Sequence, residues 1–324
     1  MPHSMLVLAL NRPKPAKIIL LFERKGGKLT PLDDRSSVGM AKIKTVFKVR
    51  SKRIPHRNKR GEFTMMKKIL FVSDFDKTLS KGDVGNILSD KLGISAESFD
   101  RKIEAVRSRN IVQLGGELAH LITRDPDYIG KVTKDLLYEV GQEIQLKNGV
   151  HELMDILAKG VDNCSFSTYI LSAAPKECID KAMGKIFPVD NIYGTTFTFE
   201  DGVVQDVERT NAGHAKVATL DMLKQKENVT RYAIIYVGDG SSDVHVMLHV
   251  KSYQGYTITV SPAPYMGHIC RRSVISDNAL SILVPILQDL LKYDQGRVRK
   301  FFEDRKHPIL EWNRADTEWL DIAL

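Results

Sequence analysis

Three apolar runs in this chain each end in a polar cluster, and that repeated pattern constrains the fold more than any other feature. Ile69-Leu70-Phe71-Val72 leads into Asp74-Phe75-Asp76-Lys77-Thr78. Tyr169-Ile170-Leu171 leads into Ser172, and Ala233-Ile234-Ile235-Tyr236-Val237 into Gly238-Asp239-Gly240-Ser241-Ser242-Asp243. Short continuous apolar runs suit strands buried on both faces of a parallel sheet, and open α/β sheets bind ligands at the carboxyl ends of such strands. Residues i and i+2 of a strand face the same side, so Asp74 and Asp76 are expected to reach one substrate atom. One carboxylate attacks while its neighbour handles protons. Surface loops also carry paired acids, and Asp-Phe-Asp by itself leaves that reading open.

After the first strand the period changes. Over residues 84–147 the apolar positions recur at helical spacing: Ile87, Leu88 and Leu92; Phe99, Ile103 and Val106; Leu114, Leu118, Leu121 and Ile122; then Ile129, Val132, Leu136, Leu137 and Val140. Four helices are predicted, with Ser95 as N-cap of the second and Asp125 as N-cap of the fourth, where Pro126 takes the first helical position. An amphipathic helix from Val150 ends at Gly160, and another spans 175–186. Residues 191–199 and 203–207 flank Glu200-Asp201-Gly202 as a β-hairpin. Helices over 213–225, 242–250 and 280–293 and a strand over 256–260 complete the core. This alternation predicts an α/β fold, a three-layer Rossmann-like and mainly parallel sheet with a small all-helical cap domain inserted after the first strand.

At these residues the chain resembles the haloacid dehalogenase-like superfamily, and within it the phosphoserine phosphatase-like branch, over residues 66–293. Asp74-Phe75-Asp76-Lys77-Thr78 is similar to the first signature of that family, Ser172 to the second, Lys216 to the third and residues 238–243 to the fourth. Lys216 lies 23 positions before Asp239, room for one helix and a return strand. The resemblance implies a catalytic core over 65–83 and 148–293, closed by a helical cap over 84–147. It also implies a Mg²⁺-dependent phosphatase acting on a small phosphorylated metabolite. Asp74 would be the nucleophile that becomes an aspartyl-phosphate, and Asp76 the general acid and base. The implied metal residues are Asp74, Asp76 through its main-chain carbonyl, Asp239 and Asp243. Ser172 and Lys216 would bind the phosphate, and Lys216 would lower the pKa of Asp74. Glycines at 238 and 240 would let the backbone turn tightly beside the ion.

Details of register narrow the chemistry. Dehalogenases of the superfamily lack the second aspartate, so Asp76 favours a phosphatase. Asp76-Lys77-Thr78 also has the look of the phosphorylated motif of ion-pumping ATPases, but Leu79 stands where that motif has glycine, which leaves Asp74 as nucleophile. Phosphoserine-specific members carry glutamate at the position of Asp83, glycine at that of Ala173 and asparagine at that of Ser242. The cap arginine that would grip a substrate carboxylate is open among Arg101, Arg107 and Arg109. With Asp83, these are the specificity candidates, and phosphoserine is one candidate among small organic phosphates. A phosphotransferase using the same intermediate is the alternative enzyme.

Composition sets outer bounds. A chain of 324 residues with 43% hydrophobic content supports a sizeable core. No apolar stretch approaches the roughly 20 residues of a membrane helix, and residues 5–10 are too short for a secretory signal. A cytoplasmic protein with no membrane partner is expected. The net charge of +8 is uneven, because residues 1–64 hold 16 Lys and Arg against 4 Asp and Glu, whereas the remainder holds 32 against 36. The cationic segment 42–60 has no run of interleaved aromatics and is expected to be solvated rather than bound to nucleic acid. A non-catalytic nucleic-acid-binding or regulatory protein acting through this tail is the alternative from another class. Because Met65-Met66 directly precede the first strand, residues 1–64 read equally as an over-extended start or a genuine, poorly ordered extension. Residues 18–22 and 46–49 each suit a short strand but have no evident core. Cys164, Cys178 and Cys270 are odd in number and lack paired spacing, which points to neither disulfides nor zinc; Cys164 is expected in the core. Residues 294–324 form a C-terminal helical extension whose Trp312 and Trp319 would anchor it to the body or to a second copy of the chain.

Overall fold

The computed structural model describes the backbone of residues 6–9, 19–25, 28–31, 55–57 and 63–65, and residues 67–307 in full. The strand expected at 46–49, much of the segment 42–60 and the two tryptophans lie outside the described residues. The chain divides into two units, Met1–Arg50 and Ser51–Leu324. In the first, β1 (Leu6–Ala9), β2 (Ile19–Lys25) and β3 (Lys28–Pro31) form an antiparallel sheet in that order. The strand expected near 18–22 thus has companions.

The second unit opens with a small hairpin, β4 (Pro55–Arg57) and β5 (Phe63–Met65). Seven further strands then build one sheet: β6 (Lys67–Ser73), β7 (Cys164–Pro175), β8 (Ile192–Glu200), β9 (Val203–Arg209), β10 (Ile234–Gly238), β11 (Tyr256–Thr259) and β12 (Arg272–Ser273). Their order is β12-β11-β10-β6-β7-β8-β9, parallel throughout except for the β8–β9 hairpin. β6 lies in the middle, with Ser73 opposite Val237 on one side and Ile170 on the other. The three apolar runs are therefore adjacent and end at one level.

Because side chains alternate along a strand, each run feeds two cores. Ile69, Phe71, Ile170, Ile235 and Val237 join one buried cluster with Leu153 and Leu157 of α5 (Val150–Lys159) and Ile179 and Met183 of α6 (Lys176–Met183). Leu70, Val72, Tyr169, Leu171, Ile234 and Tyr236 join the other, with Leu220 and Leu223 of α7 (His214–Glu227) and Met247 and Val250 of α8 (Val244–Ser252). The result is the expected three-layer α/β arrangement.

Four helices separate β6 from α5: α1 (Val84–Lys91), α2 (Ala96–Ser108), α3 (Glu117–Arg124) and α4 (Lys134–Glu143). Ser95 caps α2, accepting from the Ser98 N–H at 3.3 Å. Asp125 does not cap the fourth helix, however. It ends α3, accepts from the Asp127 N–H at 2.9 Å and is held by Lys102 at 2.8 Å, so its carboxylate is spent in a local Asx turn that Pro126 favours. Thr133 caps α4 instead, accepting from Leu136 N–H at 3.0 Å. The two crossings into and out of the helical segment are stitched together, Lys81 N–H to Gln145 C=O and Lys147 N–H to Leu79 C=O, each 2.8 Å. The hairpin turn has φ of 48° at Asp201 and 80° at Gly202, the left-handed pair of a type I′ turn. Its tip reaches the helical segment, where Lys134 N–H donates to Gly202 C=O at 2.8 Å and Arg124 pairs with Asp206 at 3.1 Å.

Toward the C-terminus, α9 (Pro264–Ile269) precedes β12, a two-residue strand too short to leave a periodic trace. The single helix expected over 280–293 is instead a 3₁₀ turn (Ala279–Ile282), a short α10 (Leu283–Pro285) and a π-helical turn (Ile286–Leu290). Pro285 has no N–H to continue an α-helical ladder. Asp294 then caps α11 (Gln295–Glu303). Among the described residues no helix is long and apolar enough to cross a membrane.

Glu227 at the end of α7 ties that helix to the sheet. Ser167 Oγ donates to it at 2.7 Å, the Tyr169 hydroxyl also donates, and Lys68 Nζ stands 2.7 Å away. Burial would raise the Glu227 carboxyl, but Lys68, Tyr169 and Ser167 outweigh it and hold the pKa at about 2, against 4.5 for an ordinary glutamate. A depressed folded-state pKa means the stabilisation is complete above pH 4.5 and is lost as pH falls toward 2. Urea unfolding of Glu227→Gln at pH 7 should show a loss of about 2 kcal/mol, and the gap to the unmodified protein should close across that acid window.

Candidate active site

The site forms where β6, β7 and β10 end. The Asp74 N–H donates to Val237 C=O at 2.8 Å, which extends the ladder one residue past β6. The chain then folds back, with the N–H groups of Thr78, Leu79 and Ser80 all directed at Phe75 C=O (3.2, 2.9 and 3.0 Å) while Phe75 and Leu79 are buried beneath. Lys77 takes φ of 54°, the left-handed conformation this tight reversal needs. β7 runs past Ser172 to Pro175, and Ser172 Oγ accepts from Ala174 N–H at 3.2 Å. β10 ends at Gly238, followed by a 3₁₀ turn (Ser241–Asp243) that delivers Asp243 back over the strand. A Cβ at Gly238 would lie 2.4 Å from Asp243 Oδ2. Neither Gly238 nor Gly240 has a positive φ, so close approach of Asp243, not a tight turn, is what requires glycine at 238.

Lys216, the third residue of α7, is fully buried. Its Nζ lies 2.8 Å from Asp74 Oδ1, 2.6 Å from Asp243 Oδ1 and 3.4 Å from Ser242 Oγ. The Tyr236 hydroxyl donates to the same Asp243 Oδ1 at 2.7 Å, and Gly240 N–H donates to Asp243 Oδ2 at 3.3 Å. Asp74, Asp239 and Asp243 each present an oxygen within 4.8 Å of the others. Burial, reinforced by Asp243 and opposed by Lys216, lifts Asp74 to about 6. Burial followed by Asp74 and Asp243 lifts Asp239 to about 8. Asp76 is pushed well up by burial, then by Asp83 and Asp74, although its Oδ1 accepts from Val84 N–H at 3.2 Å. Burial alone would depress Lys216; Asp243 and Asp74 outweigh it and keep the ammonium charged. One buried cation thus faces a cluster of acids that it does not neutralise. An oxygen-only donor set short of positive charge fits a hard divalent cation, which Asp74, Asp239 and Asp243 could hold.

These groups border a cleft of about 510 Å³. Asp74, Asp76, Ser172 and Asp239 line its floor, and Asp83 and Arg107 line the wall made by the helical segment. Asp243 and Lys216 stand behind the floor. Asp83 N-caps α1, accepting from Gly85 N–H at 2.9 Å, and pairs with Lys77 at 3.2 Å. Arg101 and Arg109 do not line the cleft: Arg101 donates to the Glu97 carbonyl on the exposed face of α2, and Arg109 is the exposed residue that ends that helix. Three further residues belong to the site without having been singled out by sequence. Tyr236 had a signal, a lone hydroxyl in an apolar run, and Lys77 had its place within the first signature; Glu117, in the cleft wall, had none.

A model of the haloacid dehalogenase-like hydrolases matches residues 71–248, more than half of the chain. No curated protein matches by sequence. Among solved structures, a phospho-aspartyl intermediate analogue of a phosphoserine phosphatase is similar over 71% of this chain and 100% of its own, with 18% identity and a TM-score of 0.53. A phosphoserine phosphohydrolase-like protein from Francisella tularensis is similar over 68% and 100%, with 22% identity and a TM-score of 0.52. A family hydrolase from Salmonella enterica serovar Typhi is similar over 70% and 75%, with 17% identity and a TM-score of 0.56. At these identities the likeness is one of fold.

The raised acids make a linkage prediction for metal-free protein. A carboxyl whose folded pKa is above its unfolded value of 3.8 opposes folding increasingly as pH rises from there through about 8, the folded value for Asp239. In the presence of chelator, Asp239→Asn should therefore melt higher than the unmodified protein at pH 8 and equally at pH 3.5. Excess Mg²⁺ at pH 8 should raise the melting temperature of the unmodified protein and not that of the variant.

Proposed function

The chain belongs to the haloacid dehalogenase-like hydrolases, and from that premise we propose a Mg²⁺-dependent phosphatase that hydrolyses a small organic phosphomonoester through an aspartyl-phosphate on Asp74. The observation that carries this reading is the buried Lys216 ammonium held between Asp74 and Asp243 at the ends of adjacent strands. It orients the Asp74 carboxylate and leaves one of its oxygens for attack on phosphorus. As the bond from Asp74 to phosphorus forms, the bond from phosphorus to the leaving oxygen breaks. Asp76, whose carboxyl is pushed up by burial and its acidic neighbours, supplies the proton to that oxygen. In the second step a water gives a proton back to Asp76 and attacks phosphorus, releasing inorganic phosphate and the Asp74 carboxylate. Ser172 Oγ and Lys216 are the groups proposed to hold phosphoryl oxygens. A divalent cation, when bound, would offset charge on those oxygens and on the acids around them. The three thiols are free and buried, from which a reducing, cytoplasmic setting is inferred.

Purified protein should release phosphate from p-nitrophenyl phosphate with Mg²⁺ and lose that activity with chelator. Asp76→Asn should lower the rate by about 100- to 10,000-fold, and Asp74→Asn should abolish it. Peptide mapping after a quenched turnover should find the phosphate on Asp74; full activity in Asp74→Asn would sink the mechanism.

A further inference from the structure

Apart from the acids of its floor, the cleft is electrically lopsided. Four acids, Asp83, Asp100, Glu104 and Glu117, line it against two cations, Lys77 and Arg107. Both cations are already engaged: Lys77 Nζ lies 3.2 Å from Asp83 Oδ2, and Arg107 lies 3.2 Å from Glu117 Oε1 and 3.7 Å from Glu104 Oε2. Glu117 is the firmer partner of Arg107, since it is 5% exposed and its other oxygen accepts from Gly115 N–H at 2.7 Å. Asp100 has no cationic partner among the described residues. The rest of this wall is Asn86 and Gly115 with the apolar Phe99, Ile103 and Leu118.

From this charge pattern we infer that the cleft selects phosphomonoesters of amino alcohols, whose leaving group carries an ammonium and no carboxylate. A carboxylate on the leaving group would meet the surplus acids and find the charge of Arg107 already offset by Glu117. An ammonium would answer the surplus, with its short carbon stem against Phe99 and Leu118. Arg107, which sequence alone made a candidate for holding a substrate carboxylate, is instead held back by Glu117. The inference rests on the hydrolase reading only in taking this cleft as the substrate site.

Four esters of similar size separate the possibilities: phosphoethanolamine (ammonium only), glycerol 3-phosphate (neither), phosphoserine (both) and 3-phosphoglycerate (carboxylate only). With Mg²⁺ present, kcat/KM for phosphoethanolamine should exceed that for glycerol 3-phosphate by about tenfold, the effect of one charge contact partly screened by solvent. Phosphoserine should fall below phosphoethanolamine, and 3-phosphoglycerate should be poorest. Asp100→Asn combined with Glu104→Gln, both at exposed positions, should shrink the first ratio at least threefold. Glu117→Gln, by releasing Arg107, should improve phosphoserine relative to phosphoethanolamine. If glycerol 3-phosphate or 3-phosphoglycerate is used as well as phosphoethanolamine while p-nitrophenyl phosphate is hydrolysed, the inference is overturned and the phosphatase reading stands. Calorimetric binding of the same esters to Asp74→Asn protein reads the preference without turnover. A tenfold tighter phosphoethanolamine there, with no ester hydrolysed by the unmodified protein, would keep the inference and end the phosphatase reading; equal affinities would overturn the inference.

Discussion

The ion triad of Lys216 with Asp74 and Asp243 is the constraint on which the rest of this structure depends. All three side chains are buried, and breaking such a group by removing one partner costs about 3–5 kcal/mol, since a charge is left unpaired in the interior. Satisfying it sets strict positions. The start of α7 must come under the sheet end so that its third residue reaches Asp74, and the turn after β10 must carry Asp243 back across Gly238. Tyr236, from the middle of β10, supplies a further donor to Asp243 and fills the space behind it. β6 lies between β7 and β10, so the three strand ends deliver their polar groups to one point.

The same arrangement divides the cleft into two electrical halves. At the floor, acids converge with a single ammonium, an environment suited to a divalent cation and to the oxygens of a transferring phosphoryl group. At the wall, the helical segment contributes acids whose cationic neighbours are already committed. That wall is fixed to the core by the packing of α4 against α6, where Gly141 meets the Cys178 backbone, and in two further places. One is the stitched pair of crossings at Leu79–Lys81 and Gln145–Lys147; the other is the tip of the β8–β9 hairpin, where Gly202 and Asp206 meet Lys134 and Arg124. The hairpin is thus a strut between the sheet edge and the helices. Motion of the helical segment would have to break these contacts and the buried packing of α4 on α6.

Some of this was written in the sequence by periodicity alone. The apolar runs before Asp74, Ser172 and Asp239, three to five residues long and each ending in a polar cluster, suit strands buried on both faces of a parallel sheet. The shift to a helical period after Val84 specifies the inserted helices, and Asp201-Gly202 specifies the hairpin, because its turn needs two left-handed residues. The resemblance to the four family signatures implies one site for Asp74, Asp76, Lys216, Asp239 and Asp243.

Other features were decided only by tertiary contact. Asp125 and Thr133 are both good N-caps in isolation; Lys102 and the Asp127 N–H drew Asp125 into a turn and left α4 to Thr133. Arg101, Arg107 and Arg109 are indistinguishable as sequence, and only the packing of α2 against α3 turns Arg107 toward the cleft and Glu117 toward Arg107. Local propensity and hydrophobic period report on a residue's near neighbours in the chain, so they determine which elements form and where the strand-end acids fall. The pairing of charges 10 residues apart at Glu117 and 142 apart at Lys216 depends on which surfaces meet, and that is set by the packed fold as a whole.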